Sequence, residues 1–324
     1  MAETMRAHEP LTVGSVTYTW DRRWGQPFDA GDLGRAEAGQ IELGNTHGCM
    51  VLRQNGNILV NTDAEHAVVE FLPDGRVTGT WGKQFQGGLH GMCLRVEDGV
   101  EVLYLVHLRQ RQVIKTTAAG EVLWTLDWPE QSGVYENREQ FNPTAVTVAP
   151  DGRIYIGDGY GKSWVHVYDR DRNYLKSFGG VGSEDGQLNE PHGLWMDTRG
   201  REPMLLVCDR ENHRLQWFSL DGEFVRKMDD DLRRPCNVWP MPDGGLVIAD
   251  LVGRISFLDA ADKVVGHLGD NKNPELRAVN AVKRELWNDG EFLSPHSVCV
   301  DEGGDVYVMD WNSLGRISKL MRNT

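Results

Sequence analysis

No stretch of this 324-residue chain stays apolar for the roughly 20 residues that a membrane helix needs. The N-terminal residues Met1–His8 lack the apolar segment of a secretory signal. Cysteine is scarce and odd in number, five in all, with no CxxC pair. That removes the usual disulfide frameworks and thiolate zinc knuckles and predicts a reducing, cytoplasmic setting. Positive charge is also short: 34 Lys and Arg stand against 48 Asp and Glu, a formal net charge of −14. A phosphate backbone needs clustered cations, so no nucleic-acid partner is expected. Helical periodicity is confined to one segment, Glu275–Trp287, whose good helix formers predict a helical insertion over residues 270–290.

Glycine, by contrast, is plentiful at 37 residues, and it punctuates a repeat. The best copy runs from Asn142 to Gly180: an apolar strand, the Asp151-Gly152 turn, a second strand closing on Asp158, then Val165–Tyr168 and Tyr174–Phe178. Asp-Gly between two alternating apolar runs signals a hairpin. The order returns from His192, from Cys236 and from His296, and more weakly from His47 and His90. A period of about 40 to 50 residues with four strands per unit is a propeller signature. The expected fold is all-β: a six-bladed β-propeller with four antiparallel strands per blade. The last unit ends one strand short, and Val16–Trp20 is expected to supply that strand and close the ring. A closed ring predicts one domain over residues 1–324, with residues 1–15 as a flexible N-terminal arm.

Histidine recurs at one phase of this repeat, in Thr46-His47-Gly48, Leu89-His90-Gly91, Pro191-His192-Gly193 and Pro295-His296-Ser297. Aligned inner strands place His47, His90, Thr144, His192, Cys236 and His296 at equivalent positions. One phase in a propeller means one ring around the axis, so four distant imidazoles would converge. Neutral imidazoles suit zinc, copper, iron or nickel, and three of them with an open position form the catalytic zinc arrangement. A second column, Asp63, His107, Asp158, Asp209, Asp250 and Asp310, sits where carboxylates usually cap turns. Residues just after it, Arg109, Tyr160 and Arg210 among them, could point at the same mouth.

Those residues carry a resemblance. The repeats resemble NHL repeats. Asp158–Ser163, Glu190–Gly193 and Cys208–Gln216 resemble the lyase domain of peptidylglycine α-amidating enzymes. The resemblance implies a six-bladed propeller in which zinc on three histidines helps to cleave an α-hydroxyglycine into an amide and glyoxylate. It implies His90, His192 and His296 as zinc ligands, Tyr160 as base, Arg210 as a substrate-holding arginine, and a structural calcium. The chain departs from the pattern at Ser297, where the family has Asp, and at Gly161, where it has Cys. The family's other arginine has no clear match; Arg109 and Arg53 are the nominees. His47 has no counterpart and is open as a fourth ligand, a base or a substrate contact.

Three functions follow as expectations. One is a metal-dependent lyase on a small hydroxylated substrate, a hemiaminal, hydroxy acid or sugar-like compound. Another is a metal-dependent hydrolase or isomerase on the same site. The third is a non-catalytic scaffold that binds protein through its faces.

Overall fold

The computed structural model describes residues 10–21, 24–25 and 43–323. Residues 1–9 of the expected arm, with Arg22 and Arg23, lie outside them. The described residues form six antiparallel sheets, five of four strands and one of five. The blades' inner strands are Met50–Leu52, Leu89–Glu97, Ala145–Val148, Pro191–Asp197, Pro235–Pro240 and Pro295–Val300. In blade 3, Val148 pairs with Ile154 across the Asp151-Gly152 turn, where Gly152 takes φ 90°. That left-handed conformation is one that glycine adopts without a Cβ clash.

The apolar core is divided into seams. Tyr104 and Val106 of blade 2 pack on Val146 and Ile156 of blade 3, while Met309 and Ile317 of blade 6 pack on Ile58 and Val60 of blade 1. Four other clusters fill the remaining seams. Each fully buried Val, Leu or Ile contributes about 1.5–3 kcal/mol, so each blade leans on both neighbours.

Blade 6 closes as expected. Val16–Asp21 pairs with Arg316–Arg322, with Tyr18 opposite Arg322 and Asp21 opposite Lys319. The N-terminal arm needs correction, because Leu11–Val13 forms a further outer strand on Val16–Asp21. Val13 is buried there among Phe257 and Leu268 of blade 5, which gives this short strand its anchor.

The helix expected over 270–290 is also corrected. The segment holds only two single 3-10 turns, Pro274–Leu276 and Arg284–Leu286. Its polar groups bond outside a helical pattern: Arg277 Nε donates to the Asn271 carbonyl six residues back at 2.7 Å, and Asn280 donates to Asn45 Oδ1 of another loop at 2.9 Å. Ala278, at φ 55°, donates its backbone N–H to the Leu293 carbonyl. These tertiary bonds override the helix propensity of the segment. Among the described residues no helix is long and apolar enough to cross a membrane.

Candidate metal centre

Four of the axial residues, His90, His192, Cys236 and His296, gain their aim from a defect in their strand. Pro191 pairs with Asp209 but Gly193 with Cys208, so His192 is the extra residue of a β-bulge. The same shift sets His296 between Pro295 and Ser297, and Cys236 between Pro235 and Asn237. In blade 2 the shift spans Leu89 to Met92 and takes in His90 and Gly91. A bulge breaks the period-two alternation and re-aims a side chain, here toward the axis.

The next blade then fixes each ring. His90 Nδ1 lies 2.7 Å from the Thr144 carbonyl, His192 Nδ1 3.0 Å from that of Cys236, and His296 Nδ1 2.9 Å from that of Gly48. A carbonyl only accepts, so each Nδ1 carries the proton and each Nε2 keeps a lone pair. The glycine after the histidine admits that carbonyl. A Cβ on Gly91 would stand 2.6 Å from the Thr144 oxygen, and one on Gly193 2.3 Å from the Cys236 oxygen. Blade 6 has Ser297 at this place, and its hydroxyl accepts from the Met50 N–H at 3.0 Å, tying blade 6 to blade 1.

The rings converge. Centroids of His90 and His192 are 4.9 Å apart, of His192 and His296 4.7 Å, and of His90 and His296 5.0 Å. His47 joins them at 4.8 Å from His90 and 5.0 Å from His296. Burial pushes His90, His192 and His296 well below the ordinary histidine value, and their positive neighbours, Arg210 among them, add to the effect. Burial takes His47 down to about 4, against the pull of Asp63. All four are neutral imidazoles at pH 7, the form that binds a metal.

Tyr160 meets them from blade 3. Its turn is held by Asp158, which accepts from the backbone N–H groups of Asn142 and Lys162, each at 2.6 Å, and from the Tyr135 hydroxyl at 2.6 Å. Gly161 belongs to this turn because a Cβ there would stand 2.2 Å from the Asp158 carboxylate, which excludes a Cys in the same conformation. The Tyr160 hydroxyl lies 3.0 Å from His192 Nε2, 3.3 Å from His47 Nε2 and 3.4 Å from His90 Nε2. Burial pushes this phenol up to about 12, and Arg210 works the other way.

Arg210 is buried, with Nη1 3.5 Å from the Tyr160 hydroxyl and its guanidinium over the phenol ring at 5.4 Å. Glu190 and Glu211 hold it in place, and Glu211 also accepts from Arg234. Arg109 stands apart. It is exposed on the turn after Val100–His107, with its guanidinium against Gly87. Among the described residues no hydrogen bond or ring contact joins it to the histidines. Arg53 lies past the far end of the blade 1 inner strand, paired with Glu70 and Glu101 at 2.7 Å each, and does not reach this mouth.

The donor set fits a cation. His296 Nε2 is buried with no hydrogen-bond partner. Two further Nε2 lone pairs, those of His90 and His192, face the single Tyr160 hydroxyl, which has one proton to give. Both three-donor groupings among the described residues are built on histidine: His47, His90 and His296, and His192, Cys236 and His296. Such donors suit a zinc-type metal rather than calcium. The second column is structural: Asp209 accepts from the Asn189 N–H and pairs with Arg214, and Asp250 accepts from the Arg233 N–H and pairs with Arg254. Sequence reasoning missed Cys236 as a donor. The signal was present, since Pro235-Cys236 repeats the Pro191-His192 and Pro295-His296 pattern. It also missed Glu190, whose φ of 55° marks the turn that carries it under Arg210.

Fold and centre together define the class: a six-bladed β-propeller with a ring of histidines on its axis. No family model matches the chain. It is 26% identical over 271 residues to peptidyl-alpha-hydroxyglycine alpha-amidating lyase 1 of Drosophila melanogaster, covering 77% of this chain and 47% of that protein. It is 32% identical over 207 residues to NHL repeat-containing protein 3 of Homo sapiens, covering 61% of this chain and 55% of that protein. The chain thus spans about half the length of these relatives. Among solved structures, a streptogramin B lyase superposes with a TM-score of 0.58 over 87% of this chain and 97% of that one, at 13% identity, a likeness of fold.

Proposed function

We propose that this protein is a metal-dependent lyase that cleaves a small hydroxylated substrate of the hemiaminal type, with an α-hydroxyglycine amide as the first candidate. One observation carries the reading: the Tyr160 hydroxyl stands within 3.4 Å of three imidazole Nε2 atoms and 3.5 Å from Arg210. Similarity to a protein named as an amidating lyase supports it.

His296, which both three-donor groupings share, would hold the ion, with His47 and His90 on one side of it and His192 on the other. When bound, a zinc-type ion supplies positive charge that acidifies a hydroxyl held against it. Tyr160 is the base. A phenol with an ordinary pKa of about 10 needs positive charge nearby to work at neutral pH, and Arg210 is the chain's own contribution. Tyr160 takes the substrate hydroxyl proton, the C–O bond becomes C=O, the C–N bond breaks, and the nitrogen leaves with a proton. The products are an amide and an aldehyde acid. Arg210 also offers a fixed guanidinium to the substrate carboxylate. The free thiols of Cys49, Cys93, Cys208, Cys236 and Cys299 agree with a cytoplasmic setting.

The test is a peptide ending in α-hydroxyglycine, incubated with zinc-loaded protein and with chelated protein, reading amide and glyoxylate. Amide from the loaded protein alone supports the lyase. No amide from fully loaded protein overturns it. Two other readings have an observation behind them. His47 Nε2, 3.3 Å from the Tyr160 hydroxyl, is placed for a base in a hydrolase or isomerase. Similarity to an NHL repeat protein favours a scaffold, for which metal content would be zero.

A further inference from the structure

Cys236 occupies the blade 5 position on the axis, in the same kind of bulge that presents His192 and His296. It is buried, and its donor atom lies within 4.8 Å of those of His192 and His296. The trio His47, His90 and His296 meets the same limit, so the two trios share His296. His296 Nδ1 faces the Gly48 carbonyl, which leaves Nε2 as its donor, and that atom is buried without a partner. The unpaired lone pair is an observation independent of the cysteine, and it faces both trios.

We propose that Cys236 is a metal ligand of this centre. The ring then offers two overlapping seats, one of three imidazoles from His47, His90 and His296, and one of two imidazoles and a sulfur from His192, Cys236 and His296. The proposal rests on the reading of these histidines as metal ligands. The thiol gives its proton to solvent as the sulfur–metal bond forms. Cys236 also orients His192 through its carbonyl, so a single residue shapes the centre by its backbone and binds by its side chain. Sulfur in the donor set directs the centre toward zinc, cobalt or cadmium and away from magnesium, calcium and manganese.

The experiment loads the full chain with Co(II) and records its ultraviolet and visible absorption alongside the amount of cobalt bound. The expected result is bound cobalt with a thiolate-to-cobalt charge-transfer band, and loss of that band in Cys236→Ser with cobalt still bound. Bound cobalt without the band in the wild-type protein overturns Cys236 as a ligand and leaves the histidine centre standing. A band that persists in Cys236→Ser also overturns it. No bound cobalt in the wild-type protein removes both the ligand and the histidine centre. Should Cys236→Ser fail to fold, X-ray absorption of zinc-loaded wild-type protein decides: a zinc–sulfur shell at about 2.3 Å is expected, and a shell of nitrogen and oxygen alone contradicts the proposal.

Discussion

The Thr144 carbonyl oxygen lies 2.7 Å from His90 Nδ1, and 2.6 Å from where a Cβ on Gly91 would stand. One backbone oxygen of blade 3 therefore explains both members of the His90-Gly91 pair. The imidazole needs that acceptor to turn Nε2 toward the axis, and the next residue must lack a side chain to let it approach.

Replacing that glycine should damage the centre without changing any ligand side chain. Gly91→Ala drives a methyl against Thr144, and Gly193→Ala drives one against Cys236. Loss of such an orienting contact typically costs 10- to 100-fold in metal affinity, about that range being expected here. Competition against a chromophoric chelator measures it. Affinity unchanged in both variants would remove the carbonyls as orienting groups.

Tyr160→Phe deletes one oxygen and keeps the ring. Turnover of an α-hydroxyglycine substrate should fall by about 100- to 10,000-fold, the usual contribution of a positioned base. Bound metal, measured on the same sample, should not change. A variant that keeps full activity excludes Tyr160 as the base.

Acid should destabilise the metal-free protein in a defined window. Burial lowers His47 to about 4 and His166 to about 3, and it holds His90, His192 and His296 well below their ordinary value. An unfolded histidine titrates at about 6.5, so below that pH the unfolded chain binds more protons than the folded one. The stabilising effect is whole above about pH 6.5 and is lost as the pH falls toward the folded values. Each histidine adds a slope of about 1.4 kcal/mol per pH unit. Thermal melts at pH 7, 6 and 5 should show the decline, and His166→Gln should make it shallower. His166 is a clean probe, since it bonds Tyr135 and Ser177 rather than the centre.

Ring closure rests on the N-terminal strand. Trp20 is buried in the seam between blades 5 and 6, its ring centroid 4.5 Å from that of Phe292. Trp20→Ala should cost about 3–5 kcal/mol, read from urea unfolding. A loss below about 1 kcal/mol would mean that the strand is not needed to close the ring.

The blade order was legible because each unit repeats its turn and its apolar alternation. The histidine ring was legible for the same reason, since His90, His192 and His296 sit at one phase. The bulges were not. An extra residue at a strand's second position leaves the alternation after it intact, so His192 reads as an ordinary strand residue. Cys236 went unread as a donor because a buried thiol in a β-strand also reads as a small apolar residue. Leu11–Val13 is too short for alternation to register. Over 275–287 the helix formers were real, but Arg277 folds back on the Asn271 carbonyl and Asn280 bonds Asn45 in another loop.

Metal content is the most direct measure of the histidine centre. Protein purified without a histidine tag and analysed for elements should carry one transition-metal ion per chain, with zinc expected, and the ion should be lost in His296→Ala, which removes the donor common to both groupings. Wild-type protein that holds no stoichiometric transition metal, even after dialysis against zinc, would contradict the centre and every function built on it.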